Sequence, residues 1–209
     1  MNMTINNIFR EFPDSKIAEG TFDPIRHISQ FLQALYGDWK KKYPNQYFEV
    51  RLLGNNRAEA CFYQDYVDFV THDLPELLNI QKSEGINIYF GVAPRVAKQG
   101  TNKNVKTLPC LWADLDGNAA KDIFMFKPVP DIIVFSGNGY HAYWTLNTPA
   151  PAGETTQKAL RSIQKACKSD YVSDFARILR LPGSFNLKEP KIPKLCKVCY
   201  ISKELCHAL

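Results

Sequence analysis

Leu111-Trp112-Ala113-Asp114-Leu115-Asp116-Gly117, followed further on by Asp131-Ile132-Ile133-Val134-Phe135-Ser136-Gly137-Asn138-Gly139-Tyr140-His141-Ala142-Tyr143-Trp144, contains the residue types in this chain that demand chemistry. Successive side chains of a β-strand alternate faces. A strand ending here therefore puts Asp114 and Asp116 on one face with Trp112 beneath them, and Leu115 on the other. Two carboxylates side by side repel unless a cation sits between them, and hard oxygen donors of this kind suit Mg²⁺ or Mn²⁺. The same Asp-Leu-Asp-Gly is also what a strand running into a turn looks like, because Asp and Gly favour turns.

Outward from that stretch, the 209 residues suffice to bury a sizeable core, and an apolar content of 45% is ordinary for a globular protein. No run of 18 apolar residues occurs, and the first ten residues lack the apolar centre of a signal peptide. A soluble, cytoplasmic protein with no membrane partner is expected. The six cysteines, at 61, 110, 167, 196, 199 and 206, are scattered and need no disulfide framework in a domain this large. Charge is uneven: residues 151–209 hold 11 Lys or Arg against 5 Asp or Glu, a surplus of six within a whole-chain charge of +5, so residues 1–150 sum to minus one. A basic C-terminal third suits phosphate-bearing partners, although it is also what a solvated face looks like. The ending at Cys206-His207-Ala208-Leu209 suits one domain of a longer protein.

Asp23-Pro24 followed by Ile25, Ile28, Phe31, Leu32, Leu35 and Trp39 predicts a capped helix from about Pro24 to Lys41. Tyr47 to Leu53 alternates like a strand, Gly54-Asn55-Asn56 is a turn, and Ala58 to Tyr63 completes a hairpin. Residues 65–82 carry helical periodicity, with Pro75 starting a second helix, and Ile86 to Ala93 is a strand. Lys98 to Lys106, polar and without period, is expected to be a mobile loop. Strands at 131–136 and 140–146 flank the Gly137-Asn138-Gly139 turn, Pro149 to Gly153 reads as a linker-like break, and Glu154 to Lys168 as an amphipathic helix. A last strand is expected near Lys197 to Ser202. Helices and strands mixed without strict βαβ alternation predict an α+β fold with a largely antiparallel sheet.

Three signatures in order then carry a resemblance: Asp114-Leu-Asp116; Ser136-Gly-Asn-Gly-Tyr-His141, beginning 20 residues beyond Asp116; and Asp170-Tyr-Val-Ser-Asp174-Phe-Ala-Arg177-Ile-Leu-Arg180-Leu-Pro-Gly-Ser-Phe-Asn186-Leu-Lys188. Together they resemble the archaeo-eukaryotic primases and their plasmid and phage primase-polymerases, over roughly Ile86 to Lys188. Tyr89-Phe-Gly-Val and Pro94-Arg95 look like the strand that precedes the aspartates in the plasmid and phage branch. The resemblance implies a single catalytic domain over 1–209. An α/β unit (about 1–85) would pack beside a unit with a sheet like that of an RNA-recognition motif (about 86–209).

The activity it implies is DNA primase or DNA polymerase chemistry: template-directed nucleotidyl transfer from NTPs or dNTPs to a 3′-hydroxyl, with two Mg²⁺ or Mn²⁺ ions. By the same resemblance, Asp114, Asp116 and a later Asp hold the metals; the family pattern places that ligand at Asp170, with Asp174 the other candidate and otherwise a helix N-cap. Ser136, the amides around Asn138, and His141 receive the triphosphate, helped by Arg177 and Arg180 on one helix face and by Lys188. Asn186 is placed at the nucleotide sugar, and Arg95 at template or nucleotide. Template, primer, nucleoside triphosphates and a helicase domain or protein are the implied partners. Zinc at Cys196-Lys-Val-Cys199 with Cys206-His207 is not expected, because the first pair falls in an alternating strand pattern and the second pair is adjacent. Lys191, Lys194 and Lys197 are expected to flank a DNA groove or to solvate an edge strand. The competing readings are a non-catalytic module binding single-stranded nucleic acid in a plasmid or phage replication protein, and a metal-dependent nuclease.

Overall fold

Asp23 opens the first helix by accepting hydrogen bonds from the Ile25 and Arg26 amides at 3.0 and 3.1 Å. In the computed structural model, which describes residues 23–54, 57–116, 123, 125–169 and 174–202, this helix, α1 (Pro24–Tyr36), buries Ile28, Phe31, Leu32, Leu35 and Tyr36 along one stripe. The expected continuation to Lys41 does not occur. The chain leaves the helix at Gly37, and Asp38 caps a new turn, α2 (Trp39–Lys42), which swings Trp39 against Tyr36 with ring centroids 5.1 Å apart. Packing of that aromatic pair outweighs the propensity to continue one helix.

Strands β1 (Phe48–Gly54) and β2 (Arg57–Tyr63) form the expected hairpin, with Gly54 opposite Arg57. Helices α3 (Tyr66–His72) and α4 (Leu74–Glu84) follow, Pro75 standing in the first turn of the second as its lack of an amide donor allows. Next come β3 (Asn87–Gly91), β4 (Thr107–Leu115), β5 (Ile132–Phe135), β6 (Tyr140–Pro151), α5 (Glu154–Ala166) and β7 (Ile178–Arg180). The last described elements are β8 (Phe185–Asn186), β9 (Lys194–Leu195) and β10 (Lys197–Ile201). They make two four-stranded sheets, β2-β1-β3-β7 and β10-β5-β6-β4, and a small β8-β9 ribbon. All the pairings among described strands are antiparallel, so the α+β expectation holds.

Two connections differ from the sequence reading. The break expected at Pro149 to Gly153 is instead the far end of β6, where Ala150 and Pro151 pair with Leu108 and Thr107. Because β5 pairs only with Tyr140–Tyr143, this half of β6 has one partner strand and tolerates prolines on its open side. The polar loop 98–106 is tethered: Arg51 donates to the Gly100 carbonyl at 2.8 Å, Val96 to the Asn104 carbonyl at 2.8 Å, and a 3₁₀ turn covers Asn102–Asn104.

Helix α1 joins the two sheets. Phe31 is fully buried and meets Phe90 of the first sheet and Tyr143 of the second edge-on, with centroid distances of 5.4 and 5.6 Å. Phe31→Ala should lower the unfolding free energy by about 3–5 kcal/mol, measurable by urea titration, since it leaves a cavity at the junction. His27, on the same helix, accepts the Val198 amide at Nε2 (2.9 Å), tying α1 to β10. Burial, reinforced by Lys197, lowers its pKa from 6.5 to about 4. The unfolded chain protonates this ring near 6.5 while the folded one does not, so stability falls as pH drops from about 6.5 towards 4. His27→Gln should flatten the pH dependence of the melting temperature across that window; an unchanged slope would mean that this ring does not carry it.

Candidate active site

The site begins with strand register. Asp114 lies directly opposite His141 and Trp112 opposite Tyr143, so the four share one face of the β4–β6 ladder. Asp114 remains 27% exposed while His141 is almost wholly buried. Arg177 Nη2 stands 3.5 Å from Asp114 Oδ2, and His141 Nε2 stands 3.7 Å from Oδ1, too far for a hydrogen bond. Burial first, then Arg180 and Arg177, depress the His141 pKa to about 3, against an opposing pull from Asp116. The ring is therefore neutral at neutral pH. Tyr143, whose hydroxyl burial keeps protonated, lies 3.4 Å from Nδ1; with that hydroxyl as donor, Nε2 would carry the proton and face the carboxylate.

The turn after β5 is closed by the Ser136 amide donating to the Gly139 carbonyl at 2.9 Å. A Cβ on Gly139 would stand 2.3 Å from the Leu115 carbonyl oxygen and 2.4 Å from Asp116 Oδ1, so only glycine lets the turn lie on the end of β4. Asn186 braces it from the far side: Nδ2 donates to the Ser136 carbonyl at 3.0 Å, and Oδ1 accepts the Lys188 amide at 3.0 Å. Both polar ends of Asn186, placed at the nucleotide sugar by sequence, thus serve the scaffold. Cys196 donates its thiol to the same Ser136 carbonyl, and Lys194 donates to Asn138 Oδ1.

Asp114, Asp116, Ser136, Asn138, His141, Arg180, Asn186 and Lys188 line one cleft of about 400 Å³. Arg177 reaches it through Asp114, and Asp170 lies outside the described residues. Two lining residues escaped the sequence reading, Asn87 and Tyr89. They occupy the non-core face of β3, opposite buried Ile88 and Phe90, which alternation within that strand would have revealed. Arg180 donates to the Tyr89 hydroxyl at 2.8 Å and its guanidinium stands 5.0 Å from the ring centre.

Three placements correct the sequence reading. Arg177 and Arg180 are not on a helix: Arg180 pairs with Tyr89 across β7–β3, and the Arg177 carbonyl accepts the Val92 amide, so sheet pairing claims the segment. Asp174 consequently caps no helix, since its segment turns directly into β7. Arg95, expected at template or nucleotide, is fully buried and bound to Glu49 at 2.7 Å, out of reach of any ligand in the cleft. Cys196 and Cys199 are buried, with Cys199 within β10, while Cys206 and His207 lie outside the described residues.

The donor set fits a phosphate and a hard cation. Nε of Arg177 and of Arg180 are buried with no acceptor, and Asp174 Oδ1 is buried with no donor. Asp114 and Asp116 present hard oxygens in the cleft, though no group of three or more His, Cys, Asp or Glu that could hold a metal forms among the described residues.

No family model matches the chain, and no curated protein matches it in sequence. Solved structures do. The AEP domain of the cyanophage S-2L primase-polymerase superposes with a TM-score of 0.65 at 15% identity, covering 86% of this chain and 91% of that one. The catalytic domain of primase RepB′ in complex with initiator DNA gives 0.63 at 15% identity, covering 88% and 87%. A longer RepB′ structure gives 0.63, with 58% of that chain covered. The fold is an α+β fold shared with primase catalytic domains. More particularly, it is the primase-polymerase (AEP) fold expected from the three signatures.

Gly139→Ala should destabilise the protein by about 1–3 kcal/mol in thermal or urea unfolding, because the added methyl must push the turn off the end of β4. A neutral result would show that the turn can shift freely against Asp116.

Proposed function

We propose that this chain is the catalytic domain of a primase-polymerase, transferring nucleotides from NTPs or dNTPs to a 3′-hydroxyl on a single-stranded DNA template. The observation that carries the reading is the division of a single cleft. Asp114 and Asp116 at the end of β4 line the same cleft as Arg180 and Lys188, together with Ser136 and Asn138 of the turn after β5. That division matches a reaction in which a triphosphate must be gripped beside a cation-binding pair of carboxylates.

Arg177 and Arg180 keep buried Nε–H groups without acceptors and can take up phosphate oxygens, a role in which a planar guanidinium outperforms an ammonium. Lys188 supplies further positive charge. His141, held neutral, donates through Nε2–H without adding a charge that would compete for the carboxylates. Asn186 fixes the turn so that its backbone presents a defined surface to the incoming nucleotide. Asp114 and Asp116, completed by Asp170 or by Asp174 with its undonated Oδ1, would hold Mg²⁺ or Mn²⁺. Bound there, the ions supply Lewis-acid activation of the attacking hydroxyl and neutralise the leaving pyrophosphate.

Primer extension and de novo priming on single-stranded DNA with Mg²⁺ or Mn²⁺ test the reading. Asp114→Asn and Asp116→Asn should each reduce incorporation by at least about a hundred-fold. Loss with Asp170→Asn but not Asp174→Asn, or the reverse, identifies the third carboxylate. Binding of single strands without incorporation under any metal would overturn the proposal in favour of a non-catalytic binding module, and shortening of the primer in favour of a nuclease.

A further inference from the structure

The face of the first sheet that carries Tyr89 and Arg180 into the cleft also carries Glu49 and Arg51 on the neighbouring strand, Arg51 standing opposite Tyr89. Glu49 is fully buried and is shared between two arginines. Arg51 donates Nε to Oε1 at 2.7 Å, and Arg95, itself fully buried, holds Oε2 through Nε at 2.7 Å and Nη2 at 2.6 Å. Taking such charges out of water opposes much of their attraction, so a dry ion pair is a weak source of stability. What it provides is aim. Arg95 also donates to two backbone oxygens, those of Ala93 and, at 3.0 Å, of Ala176.

Ala176 is gripped from its other side as well. Its amide donates to Asn102 Oδ1 at 2.8 Å, from the 3₁₀ turn of the loop that Arg51 tethers at the Gly100 carbonyl. A Cβ on Gly100 would lie 2.0 Å from Arg51 Nη2, so the loop is seated directly on the ion cluster. The next residue is Arg177, whose carbonyl accepts the Val92 amide at 3.0 Å and whose guanidinium reaches Asp114 at 3.5 Å. Both backbone polar groups of one residue are thus fixed immediately before a cation of the cleft.

We propose that Arg95 and Asn102 are positioning residues which clamp Ala176 by its carbonyl and its amide and thereby set Arg177 against Asp114. The proposal rests on the reading of the cleft as a nucleotidyl-transfer site. Neither residue lines the cleft: Arg95 acts from the buried ion cluster beside Gly91, on the same sheet face as Tyr89, and Asn102 from the exposed loop, across 74 residues of sequence.

Asn102→Ala is the main test, because an exposed loop side chain can be removed without disturbing the core. Amide hydrogen exchange should show the Ala176 amide exchanging at least about ten-fold faster in that variant. Nucleotide incorporation should lose about ten- to a hundred-fold in kcat/KM for the triphosphate, with little change in melting temperature. Asn102→Asp, which keeps the acceptor, should restore most of both. In an Arg177→Ala background the effect of Asn102→Ala on incorporation should vanish, since the clamp acts on activity through Arg177. Arg95→Lys, which cannot reach Glu49 and Ala176 together, should reproduce the loss. Additive losses for Asn102 and Arg177, or unchanged exchange at Ala176, would overturn the proposal. A wild-type protein that incorporates no nucleotide would instead overturn the reading of the cleft, while the exchange measurement, which needs no activity, still decides the clamp.

Discussion

The cleft depends on the register between β4 and β6. A slip of β6 by one residue would turn His141 and Tyr143 to the opposite face, away from Asp114 and Trp112. Apolar patterning does not prevent this on its own, because both faces of these strands are buried along most of their length. Polar groups choose instead. Asp131, 3% exposed at the start of β5, accepts both the Thr145 amide and the Thr145 hydroxyl through Oδ2 at 2.7 and 2.8 Å. A slipped β6 would take both Thr145 donors away from that buried carboxylate, a penalty larger than the gain from any single apolar contact. The bulge between Leu108 and Cys110 absorbs the mismatch at the far end, and Gly139 lying on the Leu115 carbonyl locks the near end.

With register fixed, the remaining requirement is that two sheets keep a constant separation. Asn87, Tyr89 and Arg180 come from the first sheet, and Asp114 and His141 from the second. Helix α1 holds them together through the Phe31 contacts to both sheets, and the Asn186 bridge to Ser136 ties β8 to the turn after β5. Strand pairing also crosses the point near residue 85 where the sequence suggested two units: β1 takes β3 as its second neighbour. The cleft is therefore a property of the junction and of neither sheet alone.

This division explains what could be read from sequence. Asp114, Asp116, the Ser136–His141 turn and the elements around them were legible because alternation and glycine turns are local signals. Tyr89 and Asn87 were readable in principle from the same alternation, but nothing local says that the second face of β3 looks into a cleft and not into solvent. Arg95 was misplaced because an arginine beside a strand end carries no mark of burial; its partner Glu49 lies 46 residues away. Arg177 and Arg180 were given a helix because a spacing of three suits one, whereas their conformation is set by pairing with Tyr89, 91 residues distant from Arg180. The tethered loop 98–106 was illegible for the same reason, since its order comes from Arg51 and Ala176.

Electrostatics brings these pieces together. Two carboxylates at one strand end raise each other's energy unless positive charge is near, and the obvious internal source is His141, directly opposite Asp114. A protonated His141 would satisfy Asp114 and leave less of its charge to attract a metal. Burial and the neighbouring Arg180 and Arg177 prevent this by keeping the imidazole neutral down to about pH 3. The arginines thus act twice: they disfavour histidinium, and they stand at the edge of the cleft as fixed cations with buried Nε–H groups free of acceptors. Arg177 reaches Asp114 only at 3.5 Å, long enough that the pair is not closed on itself. On the proposed function, the carboxylates at the end of β4 would serve a cation and the arginines a phosphate, with Arg177 following directly on Ala176, whose amide and carbonyl are both bonded.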